Sequence, residues 1–96
     1  MIFTDHIQLK DIQRCVQPSG FVAYFFGNTT IIVDESIDTD GVIHLTPIRG
    51  DIAAHGDWLD IYPGELAEYC QFLSKLLNEK GNKNVFYRTQ NNRCRL

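Results

Sequence analysis

The chain has 96 residues, 44% of them hydrophobic and 22% charged, and carries a net charge of -3. That is one domain's length with a single modest core, too apolar for a disordered segment. No run approaches the roughly 18 apolar residues of a membrane-crossing helix, and residues 1–6 lack the basic and apolar stretches of a signal peptide. The expectation is one compact cytoplasmic domain over residues 1–96, with a polar tail from Gln90 onward and no cofactor.

Along the chain, the first element reads two ways. Leu9, Ile12, Cys15 and Val16 fall at helical intervals behind the candidate caps Thr4 and Asp5, while residues 7–9 also suit a short strand. Pro18-Ser19-Gly20 ends either one. Residues 21–26 are continuously apolar and aromatic, the mark of a buried strand. Gly27-Asn28 suits a tight hairpin turn, and residues 29–33, almost all β-branched, pair back antiparallel. Asp38-Thr39-Asp40-Gly41 makes a second turn. Residues 42–46 form a third strand closed by Pro47, with Val42, His44 and Thr46 on one face and Ile43 and Leu45 on the other. Residues 50–57 read as a loop, and residues 58–62 alternate as a fourth strand.

The strongest element is a helix over residues 63–80. Pro63 fits its first turn, where a missing N–H costs nothing. Leu66, Tyr69, Cys70, Leu73, Leu76 and Leu77 draw one apolar stripe at three- and four-residue intervals. Glu65 and Glu68 near the start, with Lys75 and Lys80 toward the end, complement the helix dipole. Gly81 suits a left-handed C-terminal cap, and residues 85–87 read as a last short strand. The fold class is α+β: an antiparallel sheet of about four to five short strands, one long helix in the C-terminal half packed on one face, and a short N-terminal element.

Charge is segregated. From residue 34 to 68 there are nine acids and one cation, Arg49; from Lys75 onward six cations face only Glu79. Such asymmetry marks two electrostatic surfaces unless the segments fold against each other. The cysteines Cys15, Cys70 and Cys94 are odd in number and widely spaced, which argues against a disulfide scaffold and against zinc. Cys15 and Cys70 lie on apolar faces and read as buried thiols. Cys94 sits between Arg93 and Arg95, whose charges favour the thiolate.

Catalytic motifs are missing. No GxSxG surrounds Ser19, Ser36 or Ser74, and neither GxGxxG nor a Walker pattern occurs. His44, Asp51, His55 and Asp57 form the densest set of metal-ligand types, motivating a small metal-dependent enzyme as a third reading, although the same residues are ordinary in loops. Arg49-Gly50-Asp51 spells an adhesive tripeptide and reads as a turn.

The favoured reading is a non-enzymatic binding protein, an inhibitor, immunity factor or adaptor of the kind that phages and mobile elements carry. It engages a larger protein of basic surface through Asp34, Glu35, Asp38 and Asp40, placed on the loop after the second strand, with Trp58 and Tyr62 as aromatic anchors. The alternative is a single-stranded nucleic-acid module built from Lys83, Phe86, Tyr87, Arg88, Arg93 and Arg95, where cations interleave with stacking rings. A short terminal strand leaves a sheet edge, so the expected state is a monomer or a twofold dimer.

Overall fold

The computed structural model describes residues 8–79. A single turn of 3-10 helix, Leu9–Asp11, leads into strands β1 (Gln13–Val16), β2 (Val22–Phe26), β3 (Thr29–Ile37), β4 (Ile43–Ala54) and β5 (Asp57–Asp60), followed by helix α1 (Pro63–Asn78). The strands pair only with their neighbours in sequence, all antiparallel, in the order β1-β2-β3-β4-β5. The α+β expectation, a sheet with one long helix packed against it, describes the molecule. The expected strand at residues 85–87 and the polar tail lie outside the described residues.

The N-terminal element follows neither expectation: Leu9 opens a 3-10 turn in place of the alternative strand over residues 7–9, and the strand comes later, at Gln13–Val16, in place of the end of the expected helix. Ile12 and Cys15 are buried as a helical face would have them, but Val16 stands in solvent, pairing with Val22 at the end of β1. Cys15 is buried but disulfide-bonded, not a thiol, whereas Cys70 is buried and free. Three cysteines allow one bridge beside a reduced thiol, so an odd count does not exclude pairing.

Two hairpin turns follow from residues tolerant of positive φ. Gly27 takes φ 58 between β2 and β3, and His55-Gly56 takes φ 52 and 84 between β4 and β5, the mirror-image turns whose twist matches that of paired strands. The stretch read as a loop, residues 50–57, is therefore mostly ladder: Asp51 to Ala54 pair with Asp60 to Asp57.

Pro47 does not end its strand. β4 runs through it, and the β3–β4 register shifts by one residue there, Ile32 facing Arg49 and Val33 facing Pro47, so that Ile48 is the extra residue of a bulge. In an antiparallel ladder, alternate residues turn their backbone groups to one neighbour and then the other. Ile43 gives its N–H to a side chain rather than to β3, so Ile43, Leu45 and Pro47 face outward. A proline there loses no ladder bond.

Helix α1 starts with Pro63 in its first turn and places Leu66, Cys70, Leu73 and Leu77 on the sheet. These join Tyr24, Ile31, Val33, Ile43 and Ile61 in one core, with Tyr69, Phe72 and Leu76 at its margin. The Phe26 and Tyr69 rings meet at 5.7 Å and 48°. The helix stops at Asn78, where Glu79 turns to an extended conformation; Gly81, the expected cap, lies outside the described residues. Gly50 is the close-approach point, for a Cβ there would lie 2.9 Å from the methyl ends of Ile61 and Leu66 and 3.0 Å from that of Ile31.

Candidate functional site

The four acids expected to share a loop do not share a surface. β3 extends to Ile37, so Asp34 and Glu35 are strand residues whose side chains alternate to opposite faces. Only Asp38 and Asp40 occupy the turn. The β-branched run at its start marks β3, but Asp34-Glu35-Ser36 in its second half is a polar run that mimics a loop.

Glu35 is an internal group. Its side chain is 7% exposed and accepts a bond from Arg14 at 2.6 Å with a second at 3.3 Å, while the Tyr24 hydroxyl donates to its Oε2. Arg14, Tyr24 and Glu35 come from adjacent strands β1, β2 and β3, so a carboxylate taken from water is held by a guanidinium fork and a phenol. It is not available to a partner, and the expectation of Glu35 as a contact residue is corrected on that ground. The signal for it was the alternation Ile31, Val33, Glu35 on one face, with Arg14 as the cation of a neighbouring strand.

Asp38 organises its turn. It accepts the backbone N–H groups of Asp40 and Val42 at 2.9 and 3.0 Å and lies 2.8 Å from His44 Nε2. The His44 bond first, and the Val42 N–H next, hold its carboxyl below the usual range. Asp34 and Asp40 are exposed and make no ion pair with any described residue. Arg49 pairs with Asp51 at 2.8 Å across a buried Gly50, so the Arg-Gly-Asp triplet is strand, two residues apart on one face, rather than the expected turn. Of the middle acids, Glu35, Asp38 and Asp51 are therefore held locally, by Arg14, His44 and Arg49. The basic residues Lys83, Arg88, Arg93 and Arg95, with Phe86, Tyr87 and Cys94, lie outside the described residues.

The metal-ligand types do not converge. His44 lies near the start of β4 and His55 in the turn just past its end, about 36 Å apart at the rise of an extended strand. No group of three or more His, Cys, Asp or Glu that could hold an ion occurs among the described residues. No described helix is long and apolar enough to cross a membrane.

The two aromatics expected as anchors, Trp58 and Tyr62, stand in solvent. Trp58 is 62% exposed, Leu59 54% and Tyr62 76%, all at the β5 edge of the sheet or just past it. All four residues of β5 are exposed. Ile61 donates its N–H to the Gly50 carbonyl, which sets the ladder phase: Asp57 and Leu59 turn their backbone groups to β4, while those of Trp58 and Asp60 point outward. Asp57 and Asp60 flank the hydrophobic pair and make no ion pair with any described residue. No family model, curated protein or solved structure matches this chain.

Proposed function

We propose that this chain is a non-enzymatic binding protein, an inhibitor, immunity factor or adaptor, that engages a larger protein through the β5 edge. The observation that carries the reading is the exposure of Trp58, Leu59 and Tyr62 within five residues of a sheet edge. Solvent-exposed aromatics gain most from burial against a partner and dominate binding hot spots. The outward backbone groups of Trp58 and Asp60, which meet no further strand among the described residues, add hydrogen-bonding capacity, since an unpaired edge is a template for another chain.

Asp57 and Asp60 give the edge its sign. Two such edges pairing with each other bring like carboxylates together, which disfavours a self-paired dimer. A basic partner surface relieves that cost and is drawn in faster at low salt. Relative to the reading from sequence, the acidic contact moves from Asp34, Glu35, Asp38 and Asp40 to Asp57 and Asp60, beside the same anchors Trp58 and Tyr62.

Affinity capture on the immobilised wild-type chain, in parallel with the Trp58→Ala/Tyr62→Ala chain, tests this in nuclease-treated native-host extract at low and moderate salt. The wild type should retain a protein that the variant loses and that moderate salt weakens. Equal retention by both chains would contradict the proposal.

A further inference from the structure

A further edge, open among the described residues, lies apart from the outer strands β1 and β5. β3 pairs with β4 along its whole length, but β5 covers only Asp51 to Ala54. The stretch of β4 before Gly50 has no strand on its outer side among the described residues. Helix α1 takes that side instead. It begins beside Gly50, where Leu66 packs, and ends at Ile43, where Asn78 bonds. Sixteen residues of helix span about 24 Å, and β4 from Ile43 to Gly50 spans about 23 Å. The two therefore run side by side in opposite directions, with a groove of about 570 Å³ between them, lined by Leu45, Thr46 and Pro47 on the strand and Ala67, Gln71 and Lys75 on the helix.

Both ends of this open edge are closed by the protein itself. At Ile43 the Asn78 amide takes the N–H and gives to the C=O, each at 2.9 Å, as a paired strand does, and Ser74 adds a bond to the same carbonyl at 3.0 Å. At Gly50 the carbonyl is taken by Ile61. Between them the outward N–H and C=O of Leu45 and the outward C=O of Pro47 have no partner among the described residues. The groove's lining contains Lys75 and His44 and no carboxylate, in a chain of net charge -3. His44 already faces Asp38, while Lys75 makes no ion pair with any described residue.

We infer that the β4–α1 groove accepts an extended peptide segment carrying a carboxylate, which adds to the sheet at Leu45 and Pro47 and presents its charge to Lys75. Main-chain bonds to an open edge supply affinity in this mode, and the groove beside it selects side chains. The segment lies in line with β5, continuing the row that β5 leaves short, and the groove is of the size that holds a small ligand. The occupant is anionic, whereas the partner proposed for β5 is basic, so the two surfaces do not compete for one ligand and neither inference rests on the other.

The test uses the full chain, labelled with nitrogen-15, titrated with hexapeptides of alternating Thr and Val bearing one Glu at each position in turn, each as free acid and as C-terminal amide. Matching all-Thr/Val amides without Glu serve as uncharged controls. A saturable shift of the Leu45 amide, with slower hydrogen exchange there and a shift at Lys75, is expected for at least one Glu peptide. Binding by free acids alone identifies a terminal carboxylate as the recognised group; binding by both forms identifies the side chain. Lys75→Glu, an exposed change that leaves the core intact, should weaken binding roughly fivefold, and methylating the peptide nitrogens should abolish it. No saturable shift at Leu45 into the millimolar range, shifts confined to Trp58 and Asp60, or equal binding of the uncharged controls would each overturn the inference.

Discussion

The Asn78 side chain serves Ile43 as a second strand would: its Oδ1 accepts the Ile43 N–H and its Nδ2 donates to the Ile43 carbonyl, both at 2.9 Å. Ile43 is fully buried, so its backbone groups have little water to turn to. The end of the helix thereby becomes the end of the sheet.

Asn78→Ala should cost about 1–2 kcal/mol, because the Ile43 N–H is left without an acceptor while Ser74 still serves the carbonyl. Asn78→Asp keeps the acceptor but sets an oxygen against the Ile43 carbonyl and a negative charge at the helix C-terminus, so it should not recover the wild-type stability. Urea unfolding followed by circular dichroism checks this, with the midpoint falling and the slope unchanged.

Glu35→Ala should be among the most destabilising single changes, about 2–4 kcal/mol, since it removes the carboxylate that holds the Arg14 guanidinium and the Tyr24 hydroxyl. The replacement of both charges, Arg14→Met with Glu35→Leu, should cost less than Glu35→Ala alone. A double-mutant cycle by denaturant unfolding measures the coupling.

Much of the fold was legible because it follows from local periodicity. The apolar run at residues 21–26, the β-branched stretch after Gly27-Asn28 and the stripe from Leu66 to Leu77 each point to one structure. What stayed hidden depended on partners distant in sequence. Pro47 reads as a stop unless it is known which side of β4 faces the ladder. Glu35 reads as a loop acid unless Arg14 is known to arrive on β1, and His55-Gly56 reads as part of a ligand loop although it is a two-residue turn. For the proposed contact, Trp58 and Tyr62 were legible as candidate anchors by residue type, but their exposure at a sheet edge was not, because it depends on which strand ends the sheet.

Gly50→Ala should lower stability by about 1–3 kcal/mol, since the new methyl meets the ends of Ile61, Leu66 and Ile31 at once. Those are flexible side-chain ends, so the fold should survive. The drop in thermal midpoint should shrink when Leu66→Val is introduced beside it.

The Asp38 carboxyl is held below its usual value of 3.8, chiefly by His44. A lowered folded-state value means that its contribution is complete above that unfolded value and disappears as pH falls through the lower one. The stability advantage of wild type over Asp38→Ala should therefore shrink as pH falls below about 4. Unfolding curves for both chains between pH 2 and 6 give the comparison.

Burial pushes the Cys70 thiol up to about 11. Its neutral form is favoured in the fold, so this contribution is whole below the ordinary value of 9.0 and is lost as pH rises toward 11. At pH 8 the thiol should resist an aromatic disulfide reagent in the native protein and react once urea is added. Rapid native labelling would show that the helix does not cover it.

Trp58 is the chain's single tryptophan, which gives the β5 edge a reporter of its own. With 5-fluorotryptophan incorporated, the fluorine resonance of the free protein should show the solvent isotope shift of an exposed ring. On addition of the captured partner the resonance should move and lose that isotope shift as the ring leaves water. A partner that binds while the resonance keeps both its position and its isotope shift would contradict the assignment of this edge as the contact.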